Sequence, residues 1–194
     1  MNTKAESVLD QLLEGNRRFA GSRLFHPHQD ALRRAECVLG QKPVAAVFGC
    51  ADSRVPPEIL FDCGIGDLFI VRSAGTFIDN GAVASLEYAV DHLHVPLVIV
   101  LGHTSCGAVT AAMKGVTAPD SLGKLLETIR EDCDSGSEAS LSANEIDEVT
   151  KKYTVHVVEK LLSVSSVMKA AVGSNSCTVA AANYSLDNGL VEIL

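Results

Sequence analysis

Tryptophan is absent from this 194-residue chain, and aromatic residues make up only 5% of it. A core must therefore be filled by aliphatic side chains, and the abundance of Val, Ala, Leu and Ile suits a parallel sheet buried on both faces. An excess of positive charge is also missing: the formal net charge is −8. No nucleic-acid partner is expected, since nothing here makes a basic patch able to neutralise phosphates. Long hydrophobic runs are lacking too. The longest, near Val95–Leu101, is far too short to span a bilayer, so no membrane partner is expected. The opening residues, Met1 to Glu6, carry no apolar core of a signal peptide, which makes a cytoplasmic, reducing setting the expectation. The six cysteines (Cys37, Cys50, Cys63, Cys106, Cys133 and Cys177) then read as thiols rather than a disulfide framework.

What is present fits one soluble domain over 1–194, with 47% hydrophobic and 21% charged residues. Thr3 and Glu6 form a capping-box pattern, and Leu9, Leu12, Leu13 and Phe19 recur at roughly helical spacing, which predicts a helix over about 4–20. Phe25-His26-Pro27-His28 reads as a loop, and a second helix is predicted over about 30–39, ending at Gly40. From residue 44 onward short apolar runs alternate with helical segments. The predicted strands are Val44–Phe48, Asp67–Val71, Pro96–Leu101, Cys177–Ala181 and Leu190–Leu194. A helix over about 81–94, capped by Asp79 or Asn80 and finished by His92 and His94, separates the second from the third. Strands separated by helices imply right-handed crossovers, hence an α/β fold with four parallel strands flanked by helices. Asp187-Asn188-Gly189 predicts a tight hairpin that adds the last strand as an antiparallel edge. Residues 131–148 are acidic and Ser-rich; their start reads as a surface loop with Cys133 exposed, and Ser142 with Glu145 opens a helix to about Ser163.

Two clusters can carry chemistry, each directly after a buried strand. The first is Gly49-Cys50-Ala51-Asp52-Ser53-Arg54-Val55 and the second Gly102-His103-Thr104-Ser105-Cys106-Gly107, with Cys106 opening a helix over about 106–114. In an open α/β sheet, residues just past the strands' C-terminal ends line the ligand crevice. If the two strands are neighbours, Cys50, His103 and Cys106 converge. Two thiolates and an imidazole suit zinc and leave a fourth position for water, while the competing reading is a cysteine nucleophile with a histidine base. Asp52 and Arg54, two apart on an extended segment, leave the same face and can pair. Two thiolates cancel the charge of Zn²⁺, so its water needs help in losing a proton, and Asp52 is the candidate acceptor. Asp52 is also a possible fourth ligand at low pH. The remaining cysteines and histidines read as packing or surface residues.

At these clusters the sequence resembles the β-class carbonic anhydrases. The resemblance begins with Leu13-Glu14-Gly15-Asn16-Arg17-Arg18-Phe19 and continues through Gln41-Lys42-Pro43, Cys50 to Val55, Ser85 to Val90 and Gly102 to Ala108, ending with the strand pair around Tyr184–Leu194. It implies one zinc on Cys50, His103 and Cys106, with Asp52 and Arg54 as a catalytic dyad, in the reversible hydration of carbon dioxide to bicarbonate and a proton by zinc-bound hydroxide. It also implies a homodimer, or a dimer of dimers, in which a helical arm over 1–40 grips the partner. Gln41 of the neighbouring subunit would bind substrate, in a narrow cleft lined by Phe61, Val71, Ala74, Gly75, Tyr88 and Gly107. Family members inhibited by bicarbonate at a second site carry Trp where Val47 stands here, although Arg72 remains at another position of that site. The chain thus looks like the subtype without it, with Asp52 paired to Arg54 and the metal site open at neutral to alkaline pH. Related hydrolases of carbon disulfide or carbonyl sulfide keep the same zinc site, and a non-catalytic zinc protein on this scaffold is a third reading.

Overall fold

The computed structural model describes residues 2–133 and 141–194. Its centre is a five-stranded sheet in the order β2-β1-β3-β4-β5, where β1 is Ala45–Cys50, β2 Leu68–Ser73, β3 Leu97–His103, β4 Thr178–Tyr184 and β5 Val191–Ile193. The first four are parallel and β5 pairs antiparallel to β4, as the alternation of strands and helices predicts. Every residue of β1 and β3 is buried. Such strands read as unbroken apolar runs because helices cover both faces.

Alternate side chains feed two cores. Ala46, Phe48, Val98 and Val100 join a core packed by α4 (Asn80–Glu87), α5 (Gly107–Met113), α6 (Asp120–Asp132), α7 (Ala143–Val164) and α8 (Ser166–Gly173). Ala45, Val47, Leu97, Ile99 and Leu101 join the opposite core, under α1 (Thr3–Ala20) and α3 (Pro57–Leu60). Gly15 lets α1 approach closely: a Cβ there would sit 2.0 Å from the Phe61 carbonyl oxygen. The next residue, the buried Asn16, donates to the carbonyls of Leu60 and Gly189 and accepts from the Val191 amide. That single amide ties α1, α3 and the β4–β5 connection together, with all of its hydrogen-bonding capacity but one acceptor site in use.

The first helix packs on its own chain through Ala5, Val8, Leu9 and Leu12. Its cap is Asn2, whose side chain accepts from the Ala5 amide, so the Thr3–Glu6 box is displaced by one residue. The predicted helix over 30–39 resolves into α2 (Ala31–Glu36) and a 3-10 turn, Cys37–Leu39, neither with a buried residue. Asp79 caps α4, and the helix continues as a π turn, Tyr88–His92; His94 lies beyond it at φ 55°. Ser142 and Glu145 form the full capping box of α7.

The four parallel strands run two or three residues further than predicted, because pairing in the sheet continues past the apolar run: Gly102 and His103 still pair with Asn183 and Tyr184; β5 is shorter than predicted by one residue at each end. The β4–β5 connection is longer than a two-residue turn. Ser185 donates to the Leu190 carbonyl, and of its residues only Gly189 takes a positive φ, 76°. Cys133 is half-buried against the core at the end of α6, not exposed as the sequence suggests. The surface loop expected from there on falls on 134–140, outside the described residues.

Candidate metal centre

The parallel order sets the site. With β1 and β3 adjacent and Gly49 opposite Leu101, the last residues of the two strands, Cys50 and His103, end side by side. Cys106 follows a two-residue turn and caps α5. All three are buried, and their ligand atoms lie within 4.8 Å of one another.

The His103 ring is fixed by its own neighbour. Nδ1 lies 2.8 Å from the Thr104 carbonyl, which can only accept, so this nitrogen carries the proton. Nε2 is left with a lone pair, buried and without a hydrogen-bond partner among the described residues. A buried acceptor without a partner costs about 1–3 kcal/mol, and here it faces two sulfurs. An imidazole held by a carbonyl at one nitrogen and open at the other is how histidine is set to ligate a metal. The donor set therefore fits a thiophilic ion.

The cysteines divide by environment. Burial pushes Cys63 and Cys133 up to about 12 and Cys177 up to about 11, which marks them as inert packing thiols. Cys50 moves the other way. A hydrogen bond from Cys106 lowers its pKa, helped by the amides of Asp52 and Gly75 at 3.4 and 3.3 Å from its sulfur. Cys106 is pushed up by the same hydrogen bond, so the pair shares one proton that a cation would displace. Gly75 belongs to a turn in which it and Thr76 both have positive φ (65° and 53°), which turns the Gly75 amide toward the sulfur. A Cβ on Gly75 would meet Ala108 and Ile129 at 2.8 Å.

Asp52 and Arg54 stand at the edge of the cluster. Arg54 donates from Nε to Oδ1 at 3.0 Å and from Nη2 to Oδ2 at 2.8 Å, a bidentate pair. The guanidinium holds the Asp52 carboxyl down at about 2. Oδ2 of Asp52 lies 4.0 Å from His103 Nε2, so the carboxylate borders the space the three donors face. Arg72, exposed on β2, donates from its guanidinium to the carbonyls of Cys50 and Asp52 and clamps this loop from the next strand. Sequence reading connects Arg72 only with a regulatory position; the backbone contact depends on strand register, which residue types do not show.

The other expected site residues fall into different places. Val71 is half-buried on β2, Ala74 and Gly107 are exposed beside the cluster's turns, and Gln41 is exposed in the segment after Leu39. Tyr88 stacks on His92 at 4.7 Å and lies 6.1 Å from Phe69. Phe61 does not belong with them. It is buried in the core under α1, across the sheet from the core that holds Cys50 and Cys106. Phe69, two residues before Val71 and thus on the same face of β2, is an aromatic on that side and lies 6.1 Å from Tyr88. Strand alternation around Val71 was the signal that could have found it.

Comparison with known proteins agrees with this geometry. A family model described as carbonic anhydrase matches residues 45–191. The chain is 41% identical to carbonic anhydrase 2 of Mycobacterium tuberculosis, over 97% of this chain and 92% of that protein. It is 38% identical to a carbonic anhydrase of Mycolicibacterium smegmatis, over 99% and 94%. Among solved structures, a Coccomyxa β-carbonic anhydrase in complex with acetazolamide superposes with a TM-score of 0.75 at 28% identity, covering 96% of this chain and 86% of that one. With its parallel sheet, its buried Cys-His-Cys group and relatives matched almost end to end, the chain belongs to the β-carbonic anhydrases.

Proposed function

We propose that Cys50, His103 and Cys106 hold one zinc ion and that the chain catalyses the reversible hydration of carbon dioxide to bicarbonate and a proton, in the cytoplasm. The single observation that carries the zinc reading is the lone pair of His103 Nε2, buried without a partner and facing two thiols, one of them poised as a thiolate. Three protein ligands leave a position open, as in catalytic zinc sites. The ion, when bound, supplies Lewis acidity that activates water at neutral pH.

The chain's own residues supply the rest. Asp52 Oδ2, bordering the open position, accepts a hydrogen bond from the reacting water and keeps its oxygen aimed at the substrate carbon. Arg54 occupies both carboxylate oxygens and so holds Asp52 off the metal. This is the open arrangement, and it suits the subtype reading in which Val47 replaces a tryptophan. At lower pH, where water rather than hydroxide would compete for the open position, Asp52 would be the fourth ligand. Val71, Ala74, Gly75, Tyr88 and Gly107, with Phe69 in place of Phe61, line an approach suited to a small uncharged molecule.

The working unit is a homodimer, alone or paired into a tetramer. Phe25, Leu32, Val38 and Leu39 are all more than two-thirds exposed within one stretch of chain, Leu39 at 98%. Apolar exposure of that kind marks a protein-binding surface. Gln41 follows directly, placed to reach a partner's site.

Stopped-flow hydration of carbon dioxide by protein of measured zinc content tests the reading, with Asp52→Asn alongside. One zinc per subunit, with activity in the wild type and about 10²-fold or greater loss in the variant, is the expected result. Full zinc with an inactive wild type overturns it in favour of a binding protein.

A further inference from the structure

The turn that joins two of the proposed ligands, His103 and Cys106, is left-handed at Ser105 (φ 55°). A residue with a Cβ adopts that conformation only where surrounding bonds hold it there. The Thr104 half of the turn is held by the sheet: its amide donates to the Tyr184 carbonyl at 2.9 Å, and its hydroxyl accepts from the Leu186 amide at 3.0 Å. The Ser105 half is held differently. Its amide donates to Oδ1 of Asp147 at 2.7 Å, and its carbonyl accepts from Arg54 Nη2 at 3.3 Å.

Asp147 comes from outside both motifs, 42 residues away along the chain. It sits near the start of α7, beside the buried Ile146, on a helix that continues through the buried Thr150, Tyr153, Thr154 and Val157. The carboxylate is therefore carried by a rigid element, and a hydrogen bond to an ionised acceptor is roughly twice as strong as a neutral one. The chain of contacts runs from Asp147 to the Ser105 amide, then from the Ser105 carbonyl to Arg54, and from Arg54 to Asp52.

Resting on the zinc reading above, we propose that Asp147 is a positioning residue of the metal centre: its acceptor oxygen fixes the left-handed Ser105 turn between His103 and Cys106 and, through the Ser105 carbonyl, sets where Arg54 holds Asp52. An outer partner of this kind changes metal retention and turnover without touching substrate.

The test uses the full-length zinc-loaded protein and compares wild type with Asp147→Ala, Asp147→Asn and Glu148→Ala, the last an exposed neighbour on the same helix paired with Lys151. Zinc release to excess chelator is followed with a metal-indicator dye, and carbon dioxide hydration by stopped flow. Asp147→Ala is expected to release zinc about tenfold faster and to lose a similar factor in kcat, with KM moving less than about twofold. Asp147→Asn, which keeps an acceptor oxygen, and Glu148→Ala should both stay within about twofold of wild type in release and turnover. If the alanine variant does not fold, Asp147→Ser, too short to reach the amide, serves in its place. Wild-type release from the alanine or serine variant overturns the proposal. So does an asparagine variant as impaired as alanine, or a loss confined to KM. A wild type that holds zinc but hydrates nothing refutes the functional reading instead, and the release rates still judge Asp147.

Discussion

Two regions of the chain use apolar and sulfur-bearing residues in opposite ways. At the ends of β1 and β3, Cys50, His103 and Cys106 are buried, their polar atoms face one another, and loop contacts from Arg54 and Arg72 support them from within the same chain. Between residues 25 and 39, Phe25, Leu32, Val38 and Leu39 face outward, and neither α2 nor the turn after it buries any residue. The contrast is between a site whose donors the single chain already assembles and an apolar surface that the single chain leaves exposed. A buried lone pair and a shared thiol proton suit the first to an ion. The second has no such internal conflict; its unburied area is what a second subunit would cover.

Breaking the buried side of that comparison should have the largest effect. Cys106→Ser is expected to abolish stoichiometric zinc binding and to lower hydration by more than the roughly 10–100-fold typical of losing an outer partner; metal analysis and stopped flow read both. On the exposed side, Val38→Asp with Leu39→Asp should convert the assembly to monomers in sedimentation or light scattering, while zinc stays bound at one per chain. Zinc loss in that variant would erase the distinction between the two stretches. Gly75→Val sharpens it from within the site. The added side chain meets Ala108 and Ile129 at a positive φ, so a destabilisation of roughly 1–3 kcal/mol is expected, seen as a lower Tm.

The smallest effect is a pH dependence. Arg54 holds the Asp52 carboxyl at about 2, below its ordinary value, so the pair's contribution is fully present above the unfolded carboxylate range and is lost as pH falls through about 2. The difference in unfolding free energy between wild type and Asp52→Asn should therefore be the same at pH 7 and pH 5, and shrink only on further acidification. A difference that disappears between pH 7 and pH 5 would mean that Asp52 is not held by Arg54 as the geometry has it.

Much of the site was readable in advance because its motifs are local. Cys50-x-Asp52-x-Arg54 and His103-x-x-Cys106 each follow an apolar run, and an apolar run between helical segments reads as a buried parallel strand. The misplaced ends of β1 and β3 share one cause: sheet pairing extends through Gly49-Cys50 and Gly102-His103, where hydrophobic patterning has already stopped. The α6 helix was missed although Leu122, Leu125, Leu126 and Ile129 follow helical spacing, and α1 took Asn2 rather than Thr3 as its cap. Phe61 was misassigned because an aromatic near a motif carries no mark of which face of the sheet it will join.

Residue types and short spacings thus determined the fold class, the three ligand candidates and the Asp52–Arg54 pair, since each depends on neighbours in sequence or on apolar periodicity. The adjacency of β1 and β3, the clamp of Arg72 on the Cys50 loop and that of Asp147 on Ser105 were decided only in three dimensions. Each joins groups distant along the chain, and their meeting depends on sheet order and helix packing, which local chemistry does not encode.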